Sequence, residues 1–447
     1  MLRHRRLVSV QVLSGCSGPD DEQPYRSVTA LDPDSLSYGV HISRLVTVWR
    51  TPWMRTLAVL LFTQVVSEIA FSFVLPFTPL FLKELGVRDD AEAGLWTGAM
   101  AGTFAVTMSV MGPIWGHVAD RYGRKLMIQR ALFAGVVIVG ALALVQSPEQ
   151  FVVLRTIQGG FTGVVAALAT VVSVTVPRRH LATALGMMQA GMFLGSSLGP
   201  AVGGLFSDQF GYRAAFVATA ALFLVNGLLV TLLVREPARE PVAVQVVGEP
   251  APTTSGGRFG GREMMVVVVL TAVIRFAQTA PQPVLPLFVE SLSDAPTQIA
   301  TTVGLVLAVF GVASSASALV AGRLADRYGR RATLITCLML ATLLTPLHAW
   351  VGTVNQMMLL RAAVGLAMGG MTPVIQALLT DMTPPGRRGA AFGMLATASA
   401  IGMGGGPVVG SAVAAGFGFP AAFLITTPVF IAAAWLVLRL PKVGRAA

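Results

Sequence analysis

The sequence predicts an all-α membrane protein, with twelve transmembrane helices in two tandem six-helix bundles around a central cavity. Three observations carry that expectation. Hydrophobic residues make up 54% of the 447 positions and charged residues only 12%, where a soluble domain carries about 25% charge. Apolar runs of membrane-crossing length recur almost without pause. One charged decapeptide is written nearly twice, GHVADRYGRK at 116–125 and GRLADRYGRR at 322–331, 206 positions apart.

The runs lie near 54–82, 94–115, 126–146, 151–176, 182–206, 214–234, 264–289, 298–321, 332–351, 356–380, 389–415 and 420–438. Each is of the order of the ~20 residues a helix needs to cross a bilayer. Lys and Arg fall mostly on one side of them. Loops on the side of the N-terminus hold 26 of the 32, the opposite loops hold Lys83, Arg88 and Arg213, and Arg155, Arg275 and Arg361 lie inside spans. This asymmetry predicts a multi-pass protein of the plasma (cytoplasmic) membrane with both termini in the cytoplasm. Topology thereby accounts for the net charge of +11, and nucleic acid is not an expected partner.

Residues 1–52, with Asp20, Asp21, Glu22, Pro24 and scattered Ser, have the composition of a disordered cytoplasmic tail. Leu13 to Cys16 resembles a lipoprotein cleavage box, but the apolar run before it is short and export of this end contradicts the charge asymmetry. Cys16 and Cys337 give no disulfide framework.

The repeat extends beyond the decapeptide. RTIQG at 155–159 has a partner in RAAVG at 361–365, again 206 on; Pro79 to Phe81 answers to Pro286 to Phe288 at 207, and Phe210-Gly211 to Phe417-Gly418 at 207. The Pro-, Gly- and charge-rich stretch between the copies reads as a cytoplasmic linker. The expected organisation is therefore a tail over 1–52, a bundle over 53–235, a linker over 236–262, a second bundle over 263–440 and a tail over 441–447. Two parallel halves related by an axis along the membrane normal leave a cavity between them, where a substrate binds.

On these residues the chain resembles the major facilitator superfamily over all twelve spans. Gly116 to Lys125 resembles that superfamily's loop after the second span, and its repeat follows the eighth. Arg155 to Gly163 resembles the fourth-span motif. Gly186, Gly195, Gly199-Pro200 and Gly203-Gly204 in the fifth span match the glycine-proline motif associated with proton-driven drug antiporters. The resemblance implies a cytoplasmic latch built on Gly116, Asp120, Arg121, Gly123 and Arg124 and, in the repeat, Asp326, Arg327 and Arg330. It implies proton handling for Arg155 and an antiport role for the glycine-proline motif. A solvated turn is the alternative for the loops, and plain helix packing for the glycines.

Physically, Gly116 and Gly123 permit a tight turn between close helices, and Asp120 among Arg121, Arg124 and Lys125 forms ion pairs worth about 0–1 kcal/mol each. Gly191, Gly195, Gly199 and Gly203 share one helical face, so a neighbouring helix packs very closely there. Pro200 removes a backbone donor and bends that helix.

Of 21 Asp and Glu, only Glu68 sits well inside a span. A charge at mid-bilayer costs about 2.5–3.5 kcal/mol on insertion scales, which marks Glu68 as functional. Gln64, Phe71 and Ser72 share its face. At the 207 offset Glu68 corresponds to Arg275, which shares a face with Thr271, Gln278, Thr279 and Gln282. These two stripes are the expected cavity walls. Glu68 and Arg275 are expected to approach or alternate in pairing while the acid gains and loses a proton, since burial disfavours its charge and a nearby arginine favours it. A static ion pair is the alternative, and a register pairing Pro76 with Pro286 would set Glu68 against Gln278 instead. Phe71, Phe73, Phe77, Phe276, Met187, Met188 and Met192 are further apolar wall candidates.

No phosphate-cradling motif occurs. The five His are scattered without metal-ligand spacing. No catalytic residue, cofactor, metal or enzymatic activity is expected. The expected function is proton-coupled export of small amphipathic or cationic compounds (multidrug efflux) by alternating access. The expected partners are a small-molecule substrate, protons and the lipid bilayer, and the expected state is a monomer. A proton-linked transporter of a polar metabolite such as a sugar is the alternative; a receptor on the same fold would need a larger signalling domain than the tails and linker supply.

Overall fold

The computed structural model describes residues 52–234, 261–293, 298–383 and 388–439, with a few side chains, that of Asp120 among them, outside the description. The expected tail up to residue 51, the linker over 236–260 and the C-terminal tail lie outside these residues. The described chain is helical, with no strand among those residues.

In the first half of the repeat, α1 (Pro52–Val74) passes through a 3-10 turn into α2 (Thr78–Glu84). Pro79 sits in the first turn of α2, where a missing N–H leaves no intrahelical bond unmade. Then come α3 (Asp90–Tyr122), α4 (Arg124–Leu142), α5 (Pro148–Phe161), α6 (Val164–Thr175) and α7 (Arg178–Leu233). Asp89 begins α3 by accepting from the Glu92 N–H at 3.3 Å, and Ser147 begins α5 by accepting from Gln150 N–H at 3.4 Å. α7 runs helically through Pro200 and breaks at Gly211, whose φ of 82° is open to glycine at little cost. Gly211 thereby separates the fifth expected span from the sixth.

The second half follows the same plan: α8 (Gly261–Thr279), α9 (Leu285–Ser291), α10 (Ile299–Tyr328), α11 (Arg330–Leu344), α12 (Val354–Met368), α13 (Met371–Met382), α14 (Arg388–Phe417), α15 (Phe419–Leu424) and α16 (Thr426–Leu438). Thr353 caps α12 as Ser147 caps α5, and Gly418, φ 83°, breaks the chain as Gly211 does.

Among the described residues, eight helical stretches are long and apolar enough to cross a membrane. One of them, 184–233, contains two of the twelve expected spans. The stretches expected over 94–115, 151–176 and 264–289 are helical but lie outside those eight. Twelve remains the number that the sequence predicts.

Glycines decide how closely the helices approach. A Cβ at Gly195, Gly199 or Gly203 of α7 would collide with α1 at Glu68, Ser72 and the Phe73 carbonyl. At 207 residues further, a Cβ at Gly402, Gly406 or Gly410 of α14 would collide with α8 at Arg275, Thr279 and the Ala280 carbonyl. The structure therefore favours the 207 register over the one that pairs Pro76 with Pro286. Gly186 differs from its neighbours, because a Cβ there would meet nothing within 4 Å.

The two halves of the repeat also touch through small residues. Gly204 lies against Ala300 and Gly304 against Pro200, joining α7 to α10; Gly98 lies against Ser411 and Gly404 against Ala105, joining α3 to α14. Phe77, Phe81, Phe151, Tyr212 and Phe216 form one aromatic core. Phe77 and Phe73, candidates for the cavity wall, belong to the packed interior with Met188.

Candidate functional site

Glu68 sits on the α1 face that the α7 glycines press against. It is partly buried, and Gln64 Nε2 donates to its Oε1 at 3.2 Å. Gln64 itself is 1% exposed, with its own Oε1 unpartnered. The acid thus has a polar neighbour one turn away, as a costly buried charge requires.

Ser72 and Thr279 take a different part from the one expected. Ser72 Oγ donates to Glu68 O at 2.6 Å and reaches Gly195 O at 3.4 Å. Thr279 Oγ1 donates to Arg275 O at 2.9 Å and to Gly402 O at 3.3 Å. Both hydroxyls bond backbone at a helix contact, tying α1 to α7 and α8 to α14.

Arg275 does line one. A cavity of about 200 Å³ lies between α8, α13 and α14, bordered by Thr271, Arg275, Thr372, Gln376, Phe392 and Ser399 among others. Arg275 Nη1 reaches Gln278 Oε1 at 3.5 Å, and Gln278 Nε2 faces Met371 Sδ at 3.9 Å. In this conformation Glu68 and Arg275 form no ion pair among the described residues. Gln282, expected on the same stripe, follows the end of α8 and is exposed.

Arg155 is elsewhere. It is 4% exposed, donates from Nη1 to Gln158 Oε1 at 2.7 Å and keeps an unpartnered Nε. A small cavity there is lined by Phe71, Arg155, Gln158 and Thr219. Its repeat partner Arg361 is equally buried and lies over the Phe310 ring, 4.9 Å from the centroid.

The decapeptide is less of a loop than the sequence implied. Residues 116–122 continue α3 as helix, and the turn is confined to Gly123, φ 106°; in the repeat it is confined to Gly329, φ 95°. Only glycine adopts such a backbone cheaply. Gly116 does not serve a close approach, for a Cβ there would meet nothing within 4 Å. Arg124 Nη1 donates to Thr170 O at 3.4 Å, and Arg330 Nη1 to Ala377 O. Lys125 Nζ donates to Thr231 O at 2.8 Å, and Arg331 Nη2 to Leu438 O at 2.6 Å. The acid paired with Arg330 is Asp381 of α13, whereas Asp326 is exposed and forms no ion pair among the described residues. Arg121 and Arg327 lie over the rings of Tyr122 and Tyr328 at 5.5 and 5.4 Å.

Sequence reasoning missed the polar contacts at the opposite end of the helices. Lys83 Nζ bonds both Asp90 Oδ1 and Glu290 Oε2 at 2.7 Å. Asp208 accepts from the Ala300 and Thr301 N–H groups at 3.1 and 2.6 Å, at the N-terminus of α10. Lys83 and Glu290 occupy equivalent repeat positions with opposite charge, a signal present in the sequence.

A duplicated helical membrane protein, with glycine-packed helices around a polar cavity, is a transporter of small molecules. The chain belongs to the Major Facilitator Superfamily, whose sequence profile matches residues 60–296 and again 267–446. The multidrug resistance protein MdtG of Citrobacter koseri is 33% identical over 379 residues, covering 85% of this chain and 93% of that protein. MdtG of Escherichia coli is 33% identical over 380 residues, covering 85% and 92%. Among solved structures, a bacterial homolog of the human lysosomal transporter Spinster, inward-facing and occupied, superposes with a TM-score of 0.71 at 15% identity, covering 86% of this chain and 95% of that one. The nucleoside transporter NupG gives 0.69 at 15% identity, covering 87% and 100%.

Proposed function

We propose that this protein exports small amphipathic compounds from the cell by proton antiport, as a multidrug efflux transporter of the plasma membrane with both termini in the cytoplasm. The names of its MdtG relatives support export of drugs, and the side asymmetry of Lys and Arg supports the orientation.

Glu68 carries the coupling half of the reading. It is the one carboxylate well inside a span, it lies on the α1–α7 contact, and Gln64 holds it. A proton taken at Glu68 removes a charge whose burial is costly and frees the α1–α7 pair to move; release restores the charge when water reaches it. Arg155 and Gln158 form a second buried polar pair within the same half, and Arg275 presents the positive charge of the other half to the cavity. The contacts of Lys83 and Asp208 hold the extracytoplasmic end closed in this conformation, and the turns at Gly123 and Gly329 stand at the cytoplasmic end. The protein acts as a monomer of two six-helix bundles, 53–235 and 263–440, rocking about the cavity.

Expression in an efflux-deficient bacterial host with a panel of toxic compounds tests the reading. Resistance and lowered accumulation that Glu68→Gln abolishes at unchanged membrane levels are expected; an unaltered accumulation of every compound would overturn it.

A further inference from the structure

Thr63 and Ser67 each stand one position before Gln64 and Glu68, on the side of α1 that meets the part of α7 beyond Gly211. There Asn226 Nδ2 donates to the Thr63 carbonyl at 3.0 Å and to Ser67 Oγ at 2.8 Å. All three residues are buried, and among the described residues Asn226 Oδ1 and Thr63 Oγ1 have no partner. A buried polar cluster so incompletely bonded is costly.

The internal repeat shows that packing does not require it. At 207 residues further, Thr63, Ser67 and Asn226 correspond to Leu270, Ile274 and Ala433. These are buried in one apolar core where α8 meets α16. The same seam is thus built from aliphatic side chains in the second half, where Arg275 stands in place of the acid. Polar ties and carboxylate occur together in one copy and are missing together from the other.

The ties act on the turn that bears the acid. Residues 63–68 span little more than one turn of α1, and two bonds from one planar amide fix how far that turn is rotated against α7. Rotation decides how deeply Glu68 sits at the Gly195 contact, and depth of burial sets how readily a carboxyl gives up its proton. Nothing else charged competes for that control. Gln64 is the polar neighbour on α1, α6 carries no charged residue, and those of α7 lie at its start, at Arg178, Arg179 and His180, or near Gly211, at Asp208 and Arg213. Among the described residues no cation lies within 4 Å of Glu68.

We propose that Asn226 is a positioning residue for the proton site: through Thr63 and Ser67 it sets the rotation of α1 and thereby the proton affinity of Glu68. This deepens the coupling proposed above and rests on Glu68 as the group that takes the proton.

The test follows modification of Glu68 by dicyclohexylcarbodiimide, which adds to a protonated carboxyl, in full-length protein held in phosphatidylcholine nanodiscs. Peptide mass spectrometry reads the extent at Glu68 across a pH series. Asn226→Leu keeps the volume of the side chain and copies the apolar seam of the second half. It is expected to displace the pH of half-maximal modification by about one unit, about tenfold in proton affinity. Ser67→Ala, which leaves the bond to the Thr63 carbonyl, displaces it in the same sense by less, and decides the matter should Asn226→Leu fail to fold. A role in packing alone would change the thermal midpoint and leave the modification profile where it is. A wild-type profile in folded Asn226→Leu, or in Ser67→Ala where only that variant folds, overturns the proposal, as does modification of wild-type Glu68 that does not vary with pH. A displaced profile, in a protein whose Glu68→Gln variant still moves protons at the wild-type rate, contradicts the coupling reading and leaves the positioning role standing.

Discussion

Lys83 Nζ lies 2.7 Å from Glu290 Oε2, and the two residues stand 207 positions apart at equivalent places in the internal repeat. The duplicated scaffold has diverged in charge so that each half supplies one member of a bond across its own pseudo-symmetry axis. The same inversion of sign separates Glu68 from Arg275, at the same offset. Pairing is made at the first pair and not at the second in this conformation.

Breaking the Lys83 bridge favours the conformation in which that end opens. The pair is partly exposed, so it contributes about 0–1 kcal/mol and Lys83→Gln shifts the population by up to about fivefold. Spin labels at Arg88→Cys and Ser291→Cys, in a background without Cys16 and Cys337, report the change as a larger share of long distances. The exchanged pair Lys83→Glu with Glu290→Lys restores part of the wild-type distribution, because the bond from Lys83 to Asp90 is lost as well.

Asp208 joins the halves through the N-terminus of α10, where a carboxylate accepts two otherwise unpaired N–H groups. Asp208→Asn keeps the size and loses the charge. It costs about 0.3–1 kcal/mol at this end, the range of a charge at a helix N-terminus, and the same pair of spin labels reads it. A distribution identical to wild type would show that this contact does not hold the end shut.

Glycine substitutions separate packing from motif. Gly203→Ala and Gly410→Ala drive a methyl into the Phe73 and Ala280 carbonyls, and overpacking of that kind costs about 1–3 kcal/mol. Gly186→Ala and Gly116→Ala meet open space. Thermal unfolding followed by size-exclusion chromatography is expected to show lowered midpoints for the first two and wild-type midpoints for the others.

At the turn after α10, Asp381→Asn breaks an ion pair and Asp326→Asn breaks none. The first is expected to lower the thermal midpoint by the small amount a pair worth about 0–1 kcal/mol allows, and the second to leave it unchanged. The reverse order would return the latch of the second half to Asp326.

Much of this architecture is legible in the sequence because repetition and cost leave marks. The offset of 206 to 207 relates contact to contact, from Glu68 with Gly195 and Arg275 with Gly402 to Lys125 with Thr231 and Arg331 with Leu438. The solitary buried acid stands out because burying it is expensive. What the sequence conceals is orientation around each helix. Thr279 and Arg275 share a stripe, yet the short hydroxyl bonds backbone while the long guanidinium reaches the cavity. Gly186 and Gly195 belong to one motif, yet only Gly195 touches a neighbour. Asp381 could not be matched to Arg330 by spacing, since the bond joins two helices separated by a third. Charges near helix ends, such as Lys83 and Asp208, cost little in water and give no warning of a partner.

The measurement closest to the central claim is proton movement in proteoliposomes holding the purified protein, an exported compound and an internal pH indicator. Wild-type protein is expected to move protons when the compound is added, whereas Glu68→Gln exchanges the compound across the membrane without moving protons. Proton movement at the wild-type rate in Glu68→Gln would contradict the account.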